Sequence, residues 1–298
     1  MPQLPPQLTA GVAATLLALT ALLILIDALA QWRGRPLGKM FAAGLAGTLV
    51  LALLSHAVFL LGVGGAGIFL LFGFGIPYLA EGLGLRFGMA GSRYEYIGWV
   101  GPLLPLGVPL YVMIAWVGLL YGVANFPTLL IAYHTHWVGA DGCSLFSIIL
   151  VSTVVGLLMA VIDMIIDPIA VREGRWMWKQ KGAWYGIPIG NFIGWILVAV
   201  ITLIPIYASQ VAALPDSLQT YYPKGLPEYT SPYLIFAPTA ILGLLFLHLA
   251  GRAKGAGLSR LAWMSRIEGI LTLLLYALVV YYFELVNHSF YRTIERGL

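Results

Sequence analysis

The stretch LFSIILVSTVVGLLMAVIDMIIDPIAVREGRWMWKQKGAWYGIPIGNFIGWILVAVITLIPIYA, Leu145 to Ala208, decides the fold class. Each flank is an apolar run of about twenty residues. At ~1.5 Å per residue, a helix of that length crosses a hydrocarbon core of ~30 Å. The loop between the runs is short, basic and rich in tryptophan, the composition of a membrane boundary. Asp163 lies inside the first apolar run, and Asp167, four residues on, shares its helix face just before Pro168, where the helix is expected to stop. Carboxylates are costly in hydrocarbon, so an intramembrane acid is a functional hypothesis by default.

The rest of the chain has the same character. Its 298 residues are 60% hydrophobic and 9% charged, with a mean hydropathy of +0.92, which excludes an ordinary soluble domain. Apolar segments fall at about 9–30, 40–62, 66–80, 103–124, 145–166, 186–208, 232–250 and 267–287. The expected fold is therefore an all-α polytopic membrane bundle of about eight transmembrane helices, a single domain over 1–298. Helix four is expected to continue through Asn125-Phe126-Pro127 as a kinked or re-entrant extension, and Ser209 to Ser231 to form an outer loop. With the Gln31–Lys39 loop in the cytoplasm, thirteen of the sixteen Lys and Arg residues fall inside; Lys224, Arg292 and Arg296 do not. That bias predicts a multi-pass protein of the cell membrane with both termini outside. No basic residue precedes the first run, so it is expected to be a retained helix and not a cleaved leader.

Several motifs lose their apparent meaning in this setting. The net charge of +4 comes from loops between helices and does not imply nucleic acid. Gly62-x-Gly64-x-x-Gly67 lacks a preceding strand and reads as a tight turn. Arg175, Lys179 and Lys181, interleaved with Trp176, Trp178 and Trp184, read as a headgroup anchor. The lone Cys143 forms no internal disulfide, and His134 and His136, even with Asp141 nearby, lie on the side opposite the acid cluster and make no clear ligand set, so no metal is expected. Glu284 and His288 read as a surface pair, His248 as interfacial, and Asp27 as a structural partner of Ser55 or His56 in preference to a further member of the acid cluster.

The polar residues of one boundary converge. Glu81 closes helix three, Tyr94 and Tyr96 lie in the following loop, and Asn191 sits just inside helix six, all near the cytoplasmic face with Asp163 and Asp167. Gly186, Gly190 and Gly194 give helix six one smooth face, for a packed helix or a flat rod-like ligand. Apposed carboxyls in an apolar cleft allow a neutral acid beside an ionised partner. Facing an alkene, the acid protonates one carbon, Tyr and Trp faces stabilise the cation, and the carboxylate or Asn191 orients water. Such hydration needs no cofactor.

The runs AEGLGLRFGMAGSRYEY, Ala80 to Tyr96, and DMIIDPIAVREGRWMWKQKGAWYGIPIGNFIGW, Asp163 to Trp195, together resemble the membrane carotenoid-biosynthesis protein family. By that resemblance the protein is a carotenoid 1,2-hydratase acting on an acyclic end group of lycopene, a monocyclic carotene or a C50 precursor such as bisanhydrobacterioruberin. The resemblance marks Glu81, Tyr94, Tyr96, Asp163, Asp167, Trp176, Trp178, Tyr185, Pro188, Asn191 and Trp195. The expected catalytic set is Asp163 as proton donor, Asp167 or Glu81 as partner carboxylate, and Asn191 positioning water. Tyr94, Tyr96, Trp176, Trp178, Tyr185, Gly190 and Trp195 are the expected substrate contacts. Membrane lipid and neighbouring carotenoid enzymes are the implied partners.

Three other readings stay open. Asp163-x-x-x-Asp167 has the spacing of a Mg²⁺-diphosphate site of an intramembrane prenyltransferase, although no second Asp-rich motif accompanies it. A cyclase would also protonate an alkene. A carotenoid-binding protein would use the same acids only as hydrogen-bond partners.

Overall fold

The computed structural model describes residues 6–35, 37–88, 93–98, 101–138, 145–221 and 232–295. Its helices are α1 (Pro6–Trp32), α2 (Lys39–Phe87), α3 (Leu110–Val138), α4 (Leu145–Arg172), α5 (Ile189–Tyr221), α6 (Pro232–Ile235), α7 (Ala237–Gly255) and α8 (Ser259–Glu295). Among the described residues, five stretches are long and apolar enough to cross a membrane: Leu8–Trp32, Met40–Phe87, Leu145–Arg172, Ile189–Ser209 and Ser259–Tyr282; Leu110–Asn125 is apolar but shorter. The molecule is a helical membrane protein, and its irregular backbone sits mainly at helix ends, as hydrocarbon requires.

α2 replaces two expected helices. Its only non-helical residue is Gly62, at φ 69° and ψ 172°; the turn expected across Gly64 and Gly67 reduces to this one break. On a straight helix His56 and Phe69 would stand ~20 Å apart. Both rings nevertheless pack on Tyr121 of α3, with centroids 5.8 and 5.2 Å away. The two arms of α2 therefore fold toward each other at Gly62, a conformation open to glycine.

Other boundaries differ from expectation. α5 runs on to Tyr221, through part of the expected outer loop, whereas α3 continues past Asn125 to Val138, as the expected extension of that helix requires. Gly186 is not on α5 but in the loop before it, at φ 88°, so only Gly190 and Gly194 share the helix. The side chains of His134, His136, Asp216, Glu284 and His288, and all of Asp141, Cys143, Lys224 and Glu228, lie outside the described residues.

Pro168 does not stop α4, which continues to Arg172. Proline has no N–H, so the carbonyl four residues earlier, that of Met164, loses its helical partner. Trp184 supplies one: its Nε1 donates to the Met164 carbonyl at 2.8 Å. The indole read from sequence as a headgroup anchor is instead the donor that makes this proline tolerable. Trp184→Phe is expected to destabilise the protein by ~1–2 kcal/mol, the cost of a partly buried carbonyl left without its protein partner. In the Pro168→Ala background the helix reclaims that carbonyl, so the same change is expected to cost measurably less. Thermal melts of the four detergent-solubilised proteins test this coupling.

The main core runs through α2, α3, α4, α5, α7 and the start of α8, with Leu120, Met159, Ile165 and Leu203 fully buried. Gly156 lets α4 and α5 approach closely, since a Cβ there would lie 2.9 Å from the Ile196 carbonyl. Two short strands, β1 (Tyr94–Tyr96) and β2 (Trp176–Trp178), pair antiparallel across the end of this core.

Candidate functional site

The site is built where α2, α4 and α5 reach one end of the bundle. Asp163 and Asp167 are each 2% exposed, stacked one turn apart on α4. The loop before α5 delivers the group that joins them. Gly182 and Gly186 bridge across it, and a Cβ at Gly182 would overlap the Ile187 carbonyl. That closeness seats Ile187 in the core and starts α5 at Ile189, with Asn191 in its first turn. The Asn191 amide donates one N–H to Asp163 Oδ2 and the other to Asp167 Oδ2 at 3.0 Å.

β2 supplies the remaining donors to Asp167. Trp176 Nε1 donates to Oδ1 at 2.5 Å, and Trp178 Nε1 lies 3.1 Å from Oδ2 and 3.3 Å from Oδ1. The sheet register explains why both indoles reach it. Tyr94 stands opposite Trp178, Glu95 opposite Met177 and Tyr96 opposite Trp176. Side chains alternate along a strand, so the four aromatics share one face. On the other face Glu95 pairs with Lys179 at 3.0 Å and Met177 is exposed.

Glu81 forms the second half of the site. Tyr94 donates its hydroxyl to Oε2, and Trp116 Nε1 approaches Oε1 at 3.3 Å. Burial pushes the Tyr94 and Tyr96 hydroxyls well above the ordinary phenol range, and the charge of Glu81 adds to the effect. Both tyrosines are therefore hydrogen-bond donors at any physiological pH. Glu81 also lies near enough to Asp163 and Asp167 to interact with them electrostatically. Trp116 stacks on Trp195 with centroids 4.1 Å apart, and Tyr94 tilts against Trp178 at 5.0 Å. Glu81 and Asp167 thus lie against a wall of aromatic rings, and Asn191 joins Asp163 to them.

Of the expected residues, Glu81, Tyr94, Tyr96, Asp163, Asp167, Trp176, Trp178, Asn191 and Trp195 come together. Gly190 is half-buried beside Asn191 in the first turn of α5. Tyr185 does not join them: it is 40% exposed, at φ 50°, with its ring edge-on to Trp184. Trp176 and Trp178, expected to help anchor the loop, both direct their indole N–H to Asp167. Trp116 was not anticipated; an indole inside an apolar helix reads as core.

Asp27 also departs from expectation. Asp27 is paired with His248 Nδ1 at 2.9 Å and with Gln31 at 2.8 Å, not with Ser55 or His56. His248 is correspondingly half-buried on the face of α7 that meets α1. His56 instead meets the Tyr121 hydroxyl at 2.6 Å and the Leu234 carbonyl at 2.9 Å.

The family model described as carotenoid biosynthesis protein matches residues 38–223, well over half of the chain. The chain belongs to the carotenoid biosynthesis protein family. That match contains the whole cluster from Glu81 to Trp195, while α1, α7 and α8 lie outside it. No curated protein and no solved structure matches. For a carotenoid biosynthesis protein the chemistry of the cluster is apt: its acids and amide are buried beside aromatic faces, at the end of a bundle whose substrate class is itself apolar.

Proposed function

We propose that the protein is a carotenoid 1,2-hydratase, adding water across the terminal C1–C2 double bond of an acyclic end group without a cofactor. The observation that carries this reading is the Asn191 amide bridging two buried aspartates beside Glu81 and a wall of indoles and phenols. Asp163 is the proton donor, because among the described residues its Oδ1 has no N–H partner. Its proton adds to C2 and leaves a tertiary cation at C1, facing the π surfaces of Trp116, Trp195 and Trp178. A water oxygen then bonds to C1 and its spare proton passes to Glu81, whose Oε1 has a long 3.3 Å contact to Trp116; the proton returns to Asp163 before the next turnover, so the net change is one added water. Asp167, both of whose oxygens already take N–H donors, holds Asn191 and the hairpin indoles in place.

The same occupancy argues against the prenyltransferase reading, since a Mg²⁺ site needs those carboxylate oxygens for the ion. A cyclase shares the first step and differs in having no water to capture the cation. The Asn191 amide, anchored on both sides, favours an ordered water and hence hydration.

In this reading the 298 residues form one helical unit of the cell membrane with eight crossings. Both termini lie outside and the site lies near the cytoplasmic face, as the thirteen-to-three charge bias supports. There the polyene stays in lipid while water reaches its end. Neighbouring enzymes of the pathway are the expected partners, because a C40 or C50 polyene does not diffuse through water.

Expression in bacteria that accumulate lycopene tests the proposal. The expected pigment is heavier by one water with unchanged visible absorption. An isomer of unchanged mass would mean cyclisation, and a prenyl adduct would restore the diphosphate reading.

A further inference from the structure

Between β1 and α3 the sequence GPLLPLGVP, Gly101 to Pro109, closes on itself as an apolar loop. Leu103 bridges Pro109, Leu110 N donates to the Pro102 carbonyl at 2.9 Å, and Leu104 N to the Val108 carbonyl at 2.8 Å. At its tip, a 3-10 turn of Pro105–Gly107, two consecutive residues have left-handed backbones: Leu106 at φ 66° and Gly107 at φ 79°. Glycine adopts that conformation freely; leucine rarely does, and such outliers cluster where a fold holds a side chain for function.

The left-handed turn aims the Leu106 side chain at α2. A Cβ on Gly82 would lie 2.6 Å from Leu106 Cδ1, so leucine fills the space that this glycine leaves. One turn earlier, Tyr78 donates its hydroxyl to the Pro105 carbonyl at 2.7 Å, pinning the tip. Gly82 is the residue next to Glu81, and α3, which begins where the loop ends, carries the Trp116 that touches Glu81. Leu106 nevertheless remains 53% exposed and Leu103 59%. The loop is thus a wedge with one side on the flank of the Glu81 half-site and an exposed apolar side opposite, the kind of surface that suits lipid.

We propose that Leu106 determines specificity, setting how bulky a carotenoid end group can be and still reach Glu81 from the lipid side. The inference rests on the reading of the cluster as a carotenoid end-group site. Its ligand class is the methyl-branched alkene terminus of a long polyene, and the discriminating feature is branching near C2.

The test uses full-length protein in liposomes, supplied with a slim acyclic C40 carotene or a C50 carotene bearing an extra five-carbon branch at C2. Leu106→Ala and Leu106→Gly are each expected to raise the branched-to-slim ratio of kcat/KM by ~10-fold, the scale on which an apolar pocket separates substrates by a few carbons. The glycine variant keeps the left-handed backbone without strain, so agreement between the two assigns the effect to the missing side chain. An unchanged ratio in variants that elute and melt like the wild type would overturn the proposal. If the wild type hydrates neither carotene, the hydratase reading fails instead. Leu106 is then judged by polyene affinity, read from quenching of tryptophan fluorescence. A shift in the branched-to-slim Kd ratio sustains its role, and an equal ratio ends it.

Discussion

Asp163→Asn is expected to lower hydration of an acyclic carotenoid end by ~10²–10⁴-fold, the range contributed by a positioned general acid. Asparagine copies the shape of aspartate, and its side-chain carbonyl still accepts the Asn191 N–H that Asp163 accepts now. The α4–α5 contact therefore survives, and what disappears is the transferable proton. A purely structural carboxylate would tolerate the change, because only its acceptor role is used. The measurement is the ratio of hydrated to parent pigment in carotenoid-producing cells, by chromatography with mass detection at matched protein abundance. Retention of more than roughly a tenth of wild-type conversion would exclude Asp163 as donor. Glu81→Gln, which keeps a partner for Tyr94 while removing the second carboxyl, would then be the variant to compare.

Much of this architecture is legible in the chain because bilayer thickness sets helix length and because acids are rare in hydrocarbon. Asp163 and Asp167 announce themselves by a four-residue spacing in an apolar run, and Asn191 by its place just after a glycine-rich loop. What pairs with what is far less visible. YEY and WMW are too short for a period-2 pattern to stand out, and some eighty residues separate them, so their pairing follows only from the packed bundle. Asp27 and His248 are farther apart still, and Ser55 or His56 was an equally good local guess. The role of Trp184 did have a local signal: a proline inside a helix frees a known carbonyl, and a nearby indole is a ready donor. Tyr185 carried the opposite risk, because a marked aromatic beside the site turns outward on a left-handed backbone.

Asn191→Leu is the other change with a large expected effect, and it acts on stability as well as turnover. Leucine fills a similar volume but leaves Asp163 and Asp167 buried without the amide that bridges them. Asp167 retains two indole donors, whereas Asp163 loses its only N–H partner among the described residues. Removing one partner of a buried polar pair costs more than removing both, so a loss of about 3 kcal/mol is expected, together with loss of hydration. In the double variant Asp163→Leu/Asn191→Leu the orphaned acceptor on α4 is gone as well. That protein should melt above the Asn191→Leu single variant although it carries one more substitution, while remaining inactive. Additive destabilisation across the cycle would mean that the amide and the aspartate do not hold each other in the membrane. Strong coupling would instead identify Asn191 as the residue that keeps an acid buried beside a polyene.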